Sequence, residues 1–133
     1  MPIRTNLTRT LGIAHPVLLA PMDLVSGGKP AAAVSQAGGL GLLGDGDGDG
    51  NWIDREWKRA GNSRIGCGFV TWSLAKHPAV LECALAHRPA AIMLSFGDPR
   101  PFAPAIRTAG ARLICQVQTA NRRAGARGDA GGG

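Results

Sequence analysis

An acidic segment near the middle of this 133-residue chain has a spacing that could bind a metal ion. Four residues match the calcium-loop pattern D-x-D-x-D-G-x5-E, in which carboxylates surround a hard cation: Asp45, Asp47, Asp49 and Glu56. An EF-hand also needs an amphipathic helix before the loop, whereas residues 38–44 are glycine-rich and typical of a strand. Two interpretations stay open: a calcium-binding module, or an acidic loop whose Asp49 favours the N-terminus of a following helix.

The glycine-rich segment just before it matches a phosphate-binding pattern. Residues 39–44, GLGLLG, satisfy G-x-G-x-x-G, which in dinucleotide-binding proteins follows a strand and opens a helix. Here the segment follows a helical pattern, resembles a strand itself, and precedes three aspartates that would repel a phosphate. These glycines indicate close backbone packing rather than a dinucleotide site.

The cysteines and histidines show no spacing typical of nucleophilic or metal chemistry. The three cysteines lie in separate apolar stretches without a C-x-x-C motif, as expected of small buried side chains. Two histidines precede prolines and the third ends a helical pattern. Because no nucleophile–base pair is visible, a bound organic cofactor is a better source of chemistry than the side chains alone.

Composition and charge argue against several function classes. The chain is 44% hydrophobic and carries 15 basic against 9 acidic residues, a net charge of +6. The basic residues form no cluster outside residues 119–133, so we expect no nucleic-acid binding. No apolar run is long enough to span a bilayer and no signal peptide is visible, so we expect a cytoplasmic protein without a membrane partner.

The elements that must position any site alternate between strand and helix. Five short apolar runs are typical of parallel strands covered on both faces. The predicted strands are residues 16–20, 39–43, 64–70, 90–95 and 111–117. The predicted helices are residues 31–37 after Pro30, 52–60 capped by Asn51, 79–87 after Pro78, and 102–109 before Gly110. In the second helix, Trp52, Ile53, Glu56, Trp57 and Ala60 share one face.

This order predicts an α/β fold with a parallel sheet and right-handed crossovers, either a doubly wound sheet or part of a (β/α)8 TIM barrel. A whole barrel needs about 250 residues, so the barrel interpretation makes this chain a partial barrel of about five βα units. Residues 119–133 contain no Leu, Ile, Val or Phe and cannot bury an apolar face. We therefore expect a domain over residues 1–118 and a disordered tail over residues 119–133, as after a frameshift or gene truncation.

In a barrel, chemistry lies at the carboxyl ends of the strands. The predicted strand ends bring together small residues, a thioether, two amides and backbone donors. They are Ala20–Met22, Gly44–Asp45, Val70–Trp72, Ser95–Asp98 and Gln116–Thr119. Such a wall suits a flat aromatic ring with polar edges.

Five ordered blocks resemble the nitronate monooxygenase family, formerly called 2-nitropropane dioxygenases. The blocks are residues 15–22 (HPVLLAPM), 31–41 (AAAVSQAGGLG), 68–72 (GFVTW), 94–99 (LSFGDP) and 115–119 (CQVQT). Flavin-dependent enoyl-acyl-carrier reductases share the first blocks and are the alternative family. The resemblance implies an FMN-binding barrel that oxidises alkyl nitronates with dioxygen.

The resemblance also implies which residues hold the cofactor. Ala20, Pro21 and Met22 would lie against the isoalloxazine, largely through backbone contacts. Gly68 and Thr71 would flank the ring. From the fifth strand Gln118 would approach it, although Gln116 is the alternative, since either could face the barrel interior.

Two parts of the family pattern are not present in this sequence. The family histidine lies in an A-G-G-H motif after the sixth strand, and the phosphate site lies after the last two strands. We therefore assign no catalytic residue and expect the chain as it stands to bind FMN weakly or not at all and to lack turnover. Strand edges left open by a partial barrel also predict self-association.

Overall fold

The chain folds into six helices and five strands within the part that the structure, a computed structural model, describes: residues 1–45 and 48–119, with the backbone alone at Asp45. The helices are α1 (Asn6–Leu11), α2 (Gly28–Gln36), α3 (Gly50–Ala60), α4 (Thr71–Lys76), α5 (Ala79–Ala86) and α6 (Ala103–Thr108). The strands are β1 (Leu18–Leu19), β2 (Leu40–Asp45), β3 (Ile65–Val70), β4 (Ala91–Ser95) and β5 (Arg112–Cys115).

The five strands form one parallel sheet in the sequential order β1-β2-β3-β4-β5. Register pairs such as Leu42 with Gly66 and Gly68 with Met93 place each strand beside its successor. A doubly wound sheet reverses direction at a switch point, whereas a barrel adds each strand to the same edge. The sheet is therefore the first part of a (β/α)8 barrel, as the sequence predicts.

The two faces of the sheet have separate apolar clusters. The outer cluster packs strand residues such as Leu43, Cys67 and Ile92 against buried residues of the helices. The inner cluster contains Leu40, Leu42 and Ala91 together with Leu11, which α1 contributes. Because side chains alternate along each strand, these two clusters identify which strand residues face the barrel interior.

Two helices were not predicted from the sequence. The six-residue α1 begins with a capping box in which Thr8 N donates to Thr5 Oγ1 at 3.1 Å and Thr5 N donates to Thr8 Oγ1 at 2.8 Å. It ends at Gly12, whose φ is 65°. The equally short α4 follows β3 directly at Thr71. Neither is long enough to show a clear apolar periodicity.

Several predicted boundaries were wrong for local reasons. Strand β1 has two residues rather than five, because Pro16 has no N–H for the ladder and the Val17 N–H donates to His15 O at 2.8 Å. Asp49, not Asn51, caps α3, accepting a hydrogen bond from Asn51 N at 2.9 Å. The predicted position of Pro30 was also wrong, since α2 already begins at Gly28 and contains this proline in its first turn.

The predicted apolar face of α3 is confirmed. Its residues Ile53, Glu56, Trp57 and Ala60 are buried, and Trp52 packs against the same cluster. The Trp57 ring stacks on the His87 ring at the end of α5, with centroids 4.9 Å apart and planes 8° apart. This stack joins α3 to α5 on the outside of the sheet.

Some expectations concern residues outside the described part of the chain. The proposed disordered tail lies there from residue 120 onward, as do Asp47 and the side chain of Asp45. Across residues 1–45 and 48–119, no helix has the length and apolar character needed to cross a bilayer.

Candidate functional site

The loop between β1 and α2 lies on the inner face of the sheet, at its carboxyl edge. A Cβ atom at Gly68 would overlap the Pro21 ring, and one at Gly44 would lie 2.6 Å from Met22 N and 2.5 Å from Met22 C. Real Cβ contacts are not this short, so only glycine permits the approach of the loop. Three predicted site residues, Pro21, Met22 and Gly68, therefore meet at one place.

A single serine closes this loop. Met22 N donates to Ser26 Oγ at 2.7 Å, and Ser26 Oγ donates to Met22 O at 3.0 Å. The Ser26 N–H also donates to Met22 O at 3.0 Å, while Ser26 O accepts from Gly44 N at 3.1 Å. Ser26 is 1% exposed. The polar backbone groups of Met22 therefore already have partners inside the loop, which leaves its exposed side chain as the part that could touch a ligand.

A carboxylate from α3 fixes the far end of the loop, where α2 begins. Glu56 Oε1 accepts from Gly28 N at 3.2 Å, and Glu56 Oε2 lies 3.1 Å from Arg59 NH1. The N-cap residue of α2, Gly27, has no side chain that could cap the helix. Glu56 is buried and supplies both an acceptor and a negative charge at this N-terminus.

These partners weigh against the calcium alternative. Glu56 contacts α2 and Arg59, and Asp49 caps α3, while the side chain of Asp45 and all of Asp47 lie outside the described residues. Among the described residues, no group of three or more His, Cys, Asp or Glu side chains could hold a metal ion. The structure thus gives half of the predicted calcium ligands other roles.

Thr71 stands at the carboxyl end of β3 with an unusual hydroxyl group. The residue is 3% exposed, and its Oγ1 has no hydrogen-bond partner among the described residues. A Cβ atom at Gly97 would lie 2.7 Å from Thr71 Cβ, so the loop after β4 packs closely on this side chain. A buried hydroxyl without a partner is costly, which makes Thr71 a candidate to bond a ligand.

The two candidate glutamines of the fifth strand lie at different positions relative to the sheet. Met93 and Ile114 are register partners and pack against the inner cluster, so alternation assigns Gln116 to the inward series. Gln116 N donates to Leu94 O at 2.9 Å, which extends the sheet by one bond. Gln118 has the same parity but lies three residues beyond the end of β5 and is exposed. The hydrogen bonds that close the β1–α2 loop do not involve Gln118.

The carboxyl edge also exposes a group of large apolar side chains, of which the sequence analysis assigned only Met22 to the cofactor. Six large apolar residues that follow strand ends are exposed: Met22, Leu24, Val25, Trp72, Phe96 and Val117. Leu24 and Phe96 have φ angles of 58° and 56°, a conformation that costs free energy for residues other than glycine. The strain presents two apolar side chains at the edge where the loop lies.

Thiol chemistry is not favoured in the described residues. The three cysteines are thiols, and Cys67 is fully buried in the outer cluster. Burial raises the pKa of the Cys115 thiol above its ordinary value, so less of the reactive thiolate forms near neutral pH. This agrees with the interpretation of the cysteines as small apolar side chains.

The fold and the carboxyl edge of the sheet define the structural class of this protein. It is a partial (β/α)8 barrel whose β1–α2 loop lies over the inner face of the sheet. The structure is similar to FabK from Thermotoga maritima (TM-score 0.87, 22% identity), covering 96% of this chain and 42% of that one. It is also similar to nitroalkane oxidase from Streptomyces ansochromogenes (TM-score 0.71, 23% identity), covering 92% of this chain and 46% of that one. At these identities the likeness shows the fold.

Sequence comparison gives a shorter match. A stretch of 43 residues is 46% identical to (3aS,4S,5R,7aS)-5-hydroxy-7a-methyl-1-oxo-octahydro-1H-indene-4-carboxyl-CoA dehydrogenase of Mycobacterium tuberculosis, covering 32% of this chain and 12% of that enzyme. No family model matches the chain. The chain thus spans less than half the length of the solved structures and about an eighth of the dehydrogenase.

Proposed function

We propose that these residues form the flavin-ring side of an FMN-dependent oxidoreductase of the nitronate monooxygenase type. The observation that carries the proposal is the position of two loop residues at the carboxyl edge of the sheet. Pro21 lies on Gly68, and Met22 lies on Gly44. Catalytic groups of (β/α)8 barrels lie at this edge. The ordered sequence blocks and the likeness to nitroalkane oxidase support the same family.

The residues present fit the ring of a flavin. The side chains of Pro21 and Met22 offer an apolar wall, and the Thr71 hydroxyl, which has no partner among the described residues, offers a hydrogen bond to a polar ring edge. When bound, a flavin supplies two-electron redox chemistry that side chains cannot perform. In this proposal the chain binds and orients the ring, and the exposed apolar side chains at the carboxyl edge exclude water from it. Gln116 or Gln118 approaches the ring from the fifth strand.

The described strands do not include the part of the barrel that binds the phosphate of the cofactor. In barrels of this kind the phosphate site is built after strands 7 and 8, whereas the described residues contain five strands. The five described strands would then hold the ring and contribute little to the phosphate. We therefore expect the 133-residue protein to bind flavins weakly and to discriminate poorly between forms with and without phosphate.

An enoyl-acyl-carrier reductase reaction is the second candidate. FabK, an enoyl-ACP reductase, gives the higher TM-score of the two enzymes, 0.87 against 0.71. Both candidates use the same ring site, so they differ in substrate and not in the residues assigned to the cofactor. Two anaerobic titrations followed by the visible spectrum of the flavin would separate them. Ethylnitronate added to the oxidised flavin-loaded protein should bleach the flavin in the first case, and a crotonyl thioester added to the dithionite-reduced protein should restore the oxidised spectrum in the second.

The test of the ring site compares two probes, lumiflavin, which has the ring alone, and FMN. Each is titrated with the 133-residue protein and followed by flavin fluorescence and by induced circular dichroism in the visible region. We expect saturable binding of both, with dissociation constants within about threefold of each other, a difference below about 1 kcal/mol.

Two outcomes would contradict the proposal. Lack of saturable binding of either probe would remove the ring site. Binding of FMN that is more than about a hundredfold tighter than that of lumiflavin would place the main contact on the phosphate.

The calcium-binding alternative has its own test, which is to add calcium to the protein and follow the fluorescence of Trp52. Unchanged fluorescence argues against the acidic loop as a calcium module.

A further inference from the structure

We propose that Ser26 is a positioning residue that sets the ring-facing conformation of the β1–α2 loop. The inference rests on the proposed function, because the loop matters for chemistry only if the ring binds there. No sequence motif assigns a role to Ser26. Its evidence is a set of hydrogen bonds at a buried position directly beneath the candidate site.

The Ser26 hydroxyl satisfies both polar groups of the Met22 peptide backbone. It accepts from Met22 N at 2.7 Å and donates to Met22 O at 3.0 Å. A hydroxyl has one proton and two lone pairs, so these two bonds use its donor and one acceptor site. The turn from Met22 to Ser26 is thereby closed by a side chain as well as by the Val25 and Ser26 backbone N–H groups, which donate to the same Met22 oxygen.

The same residue ties the turn to the sheet. Ser26 O accepts from Gly44 N at 3.1 Å, and Gly44 is the residue on which the Met22 backbone lies. The Met22 peptide is therefore held from two sides, by the glycine surface of β2 and by the serine hydroxyl. This arrangement withdraws the Met22 N–H from any ligand and leaves the exposed Met22 side chain as the part of this residue that could contact one.

Removal of the hydroxyl should free the peptide without removing the loop. In the Ser26→Ala variant, Met22 N loses its partner at a part-buried position, and the turn keeps only the backbone bonds. We expect the Met22 amide to exchange with solvent about tenfold faster and the dissociation constant for lumiflavin to rise about tenfold.

Ser35, which lies in α2, provides a matched control. Ser35 Oγ accepts from Gly41 N at 2.9 Å, a bond of the same kind between α2 and β2, but away from the loop. Ser35→Ala should accelerate exchange of the Gly41 amide and leave that of Met22 and the affinity for lumiflavin unchanged. If Ser26→Ala fails to fold, Ser26→Cys keeps nearly the same volume while its sulfur bonds weakly, and the same expectations apply.

The outcomes separate this proposal from the proposed function. Faster Met22 exchange with weaker lumiflavin binding in the Ser26 variant alone supports the positioning role. Unchanged Met22 exchange, or an equal loss of affinity in the Ser35 control, overturns it. If the wild-type protein binds no lumiflavin, the proposed function fails, and the exchange of Met22 still decides whether Ser26 holds the loop.

Discussion

At the scale of single residues, the candidate site depends on glycines whose neighbours leave no space for a side chain. Gly68 faces the Pro21 ring, and Gly44 faces the Met22 backbone. The two contacts differ in kind, because a side chain can be removed by substitution and a backbone cannot. That difference gives a way to test whether the close approach is real.

Gly68→Ala should lower the free energy of unfolding by about 1–3 kcal/mol, since its methyl group would overlap the Pro21 ring. Urea denaturation of both glycine variants, alone and with Pro21→Gly, gives the measurement. We expect Pro21→Gly to relieve most of the cost of Gly68→Ala and none of the cost of Gly44→Ala. Equal relief of both, or no cost at Gly68, would show that the loop does not lie on β3 as described.

Substitution of Thr71 should have opposite effects on the stability of the fold and on the affinity for flavin. Thr71→Val replaces a buried hydroxyl that finds no partner in the described part of the chain with a methyl group of similar shape, so we expect the free energy of unfolding to rise by about 1 kcal/mol. The same change should weaken lumiflavin binding, because the ligand loses its hydrogen-bond partner. Chemical denaturation and flavin titration of the same preparation measure the two effects.

Thr8→Val is the matched control for that change. Thr8 is also buried, but its hydroxyl accepts from Thr5 N at 2.8 Å and donates to Thr5 O at 2.9 Å. Its loss should lower the free energy of unfolding by about 1 kcal/mol and leave flavin binding unchanged. A Thr71 variant that is less stable than the wild type would mean that its hydroxyl already has a partner.

At the scale of elements, the position of α2 depends on a carboxylate from α3. Glu56→Ala leaves Gly28 N without its acceptor at a buried position, so we expect the free energy of unfolding to fall by about 1–3 kcal/mol. Arg59→Ala removes only the partner that is 62% exposed and should cost less than about 1 kcal/mol. Thermal and urea denaturation compare the two, and an equal cost would show that the ion pair, rather than the bond to α2, is what Glu56 contributes.

The sequence predicts the long-range order of elements better than their ends. The five apolar runs and the buried face of α3 follow directly from residue periodicity, and all appear in the structure. Helix α1 does not, because a capping box at Thr5 and Thr8, rather than an apolar stripe, sets its start. Asp49 and Asn51 are both good N-cap residues, so spacing alone could not choose between them.

The candidate site was predictable to a similar extent. Because the carboxyl ends of parallel strands converge, the strand pattern predicts that Pro21 and Met22 lie at this edge, whereas Gly68 was assigned only through the family resemblance. Ser26 was not predictable, because its bonds return to a residue four positions earlier in an irregular loop. The bond from Gly28 to Glu56 crosses 28 residues, and no local pattern predicts it.

At the scale of the whole molecule, the described sheet has two open edges. Strands β1 and β5 each pair with one neighbour, and the inner face carries the half-buried apolar residues Leu18, Met93 and Ile114. Unpaired parallel edges beside apolar surface are prone to associate with another chain. We therefore expect the 133-residue protein to associate with itself, with β5 as part of the contact.

Ile114→Lys tests this expectation, because it places a charge on the inner face of the edge strand. Sedimentation velocity over a range of concentrations should show a wild-type protein that dimerises, and a variant whose dimer dissociation constant is at least about tenfold higher. Leu7→Lys is the matched control, since Leu7 is an exposed apolar residue of α1, outside the sheet. A monomeric wild type, or an equal effect of both substitutions, would mean that the open edge is not where the chains meet.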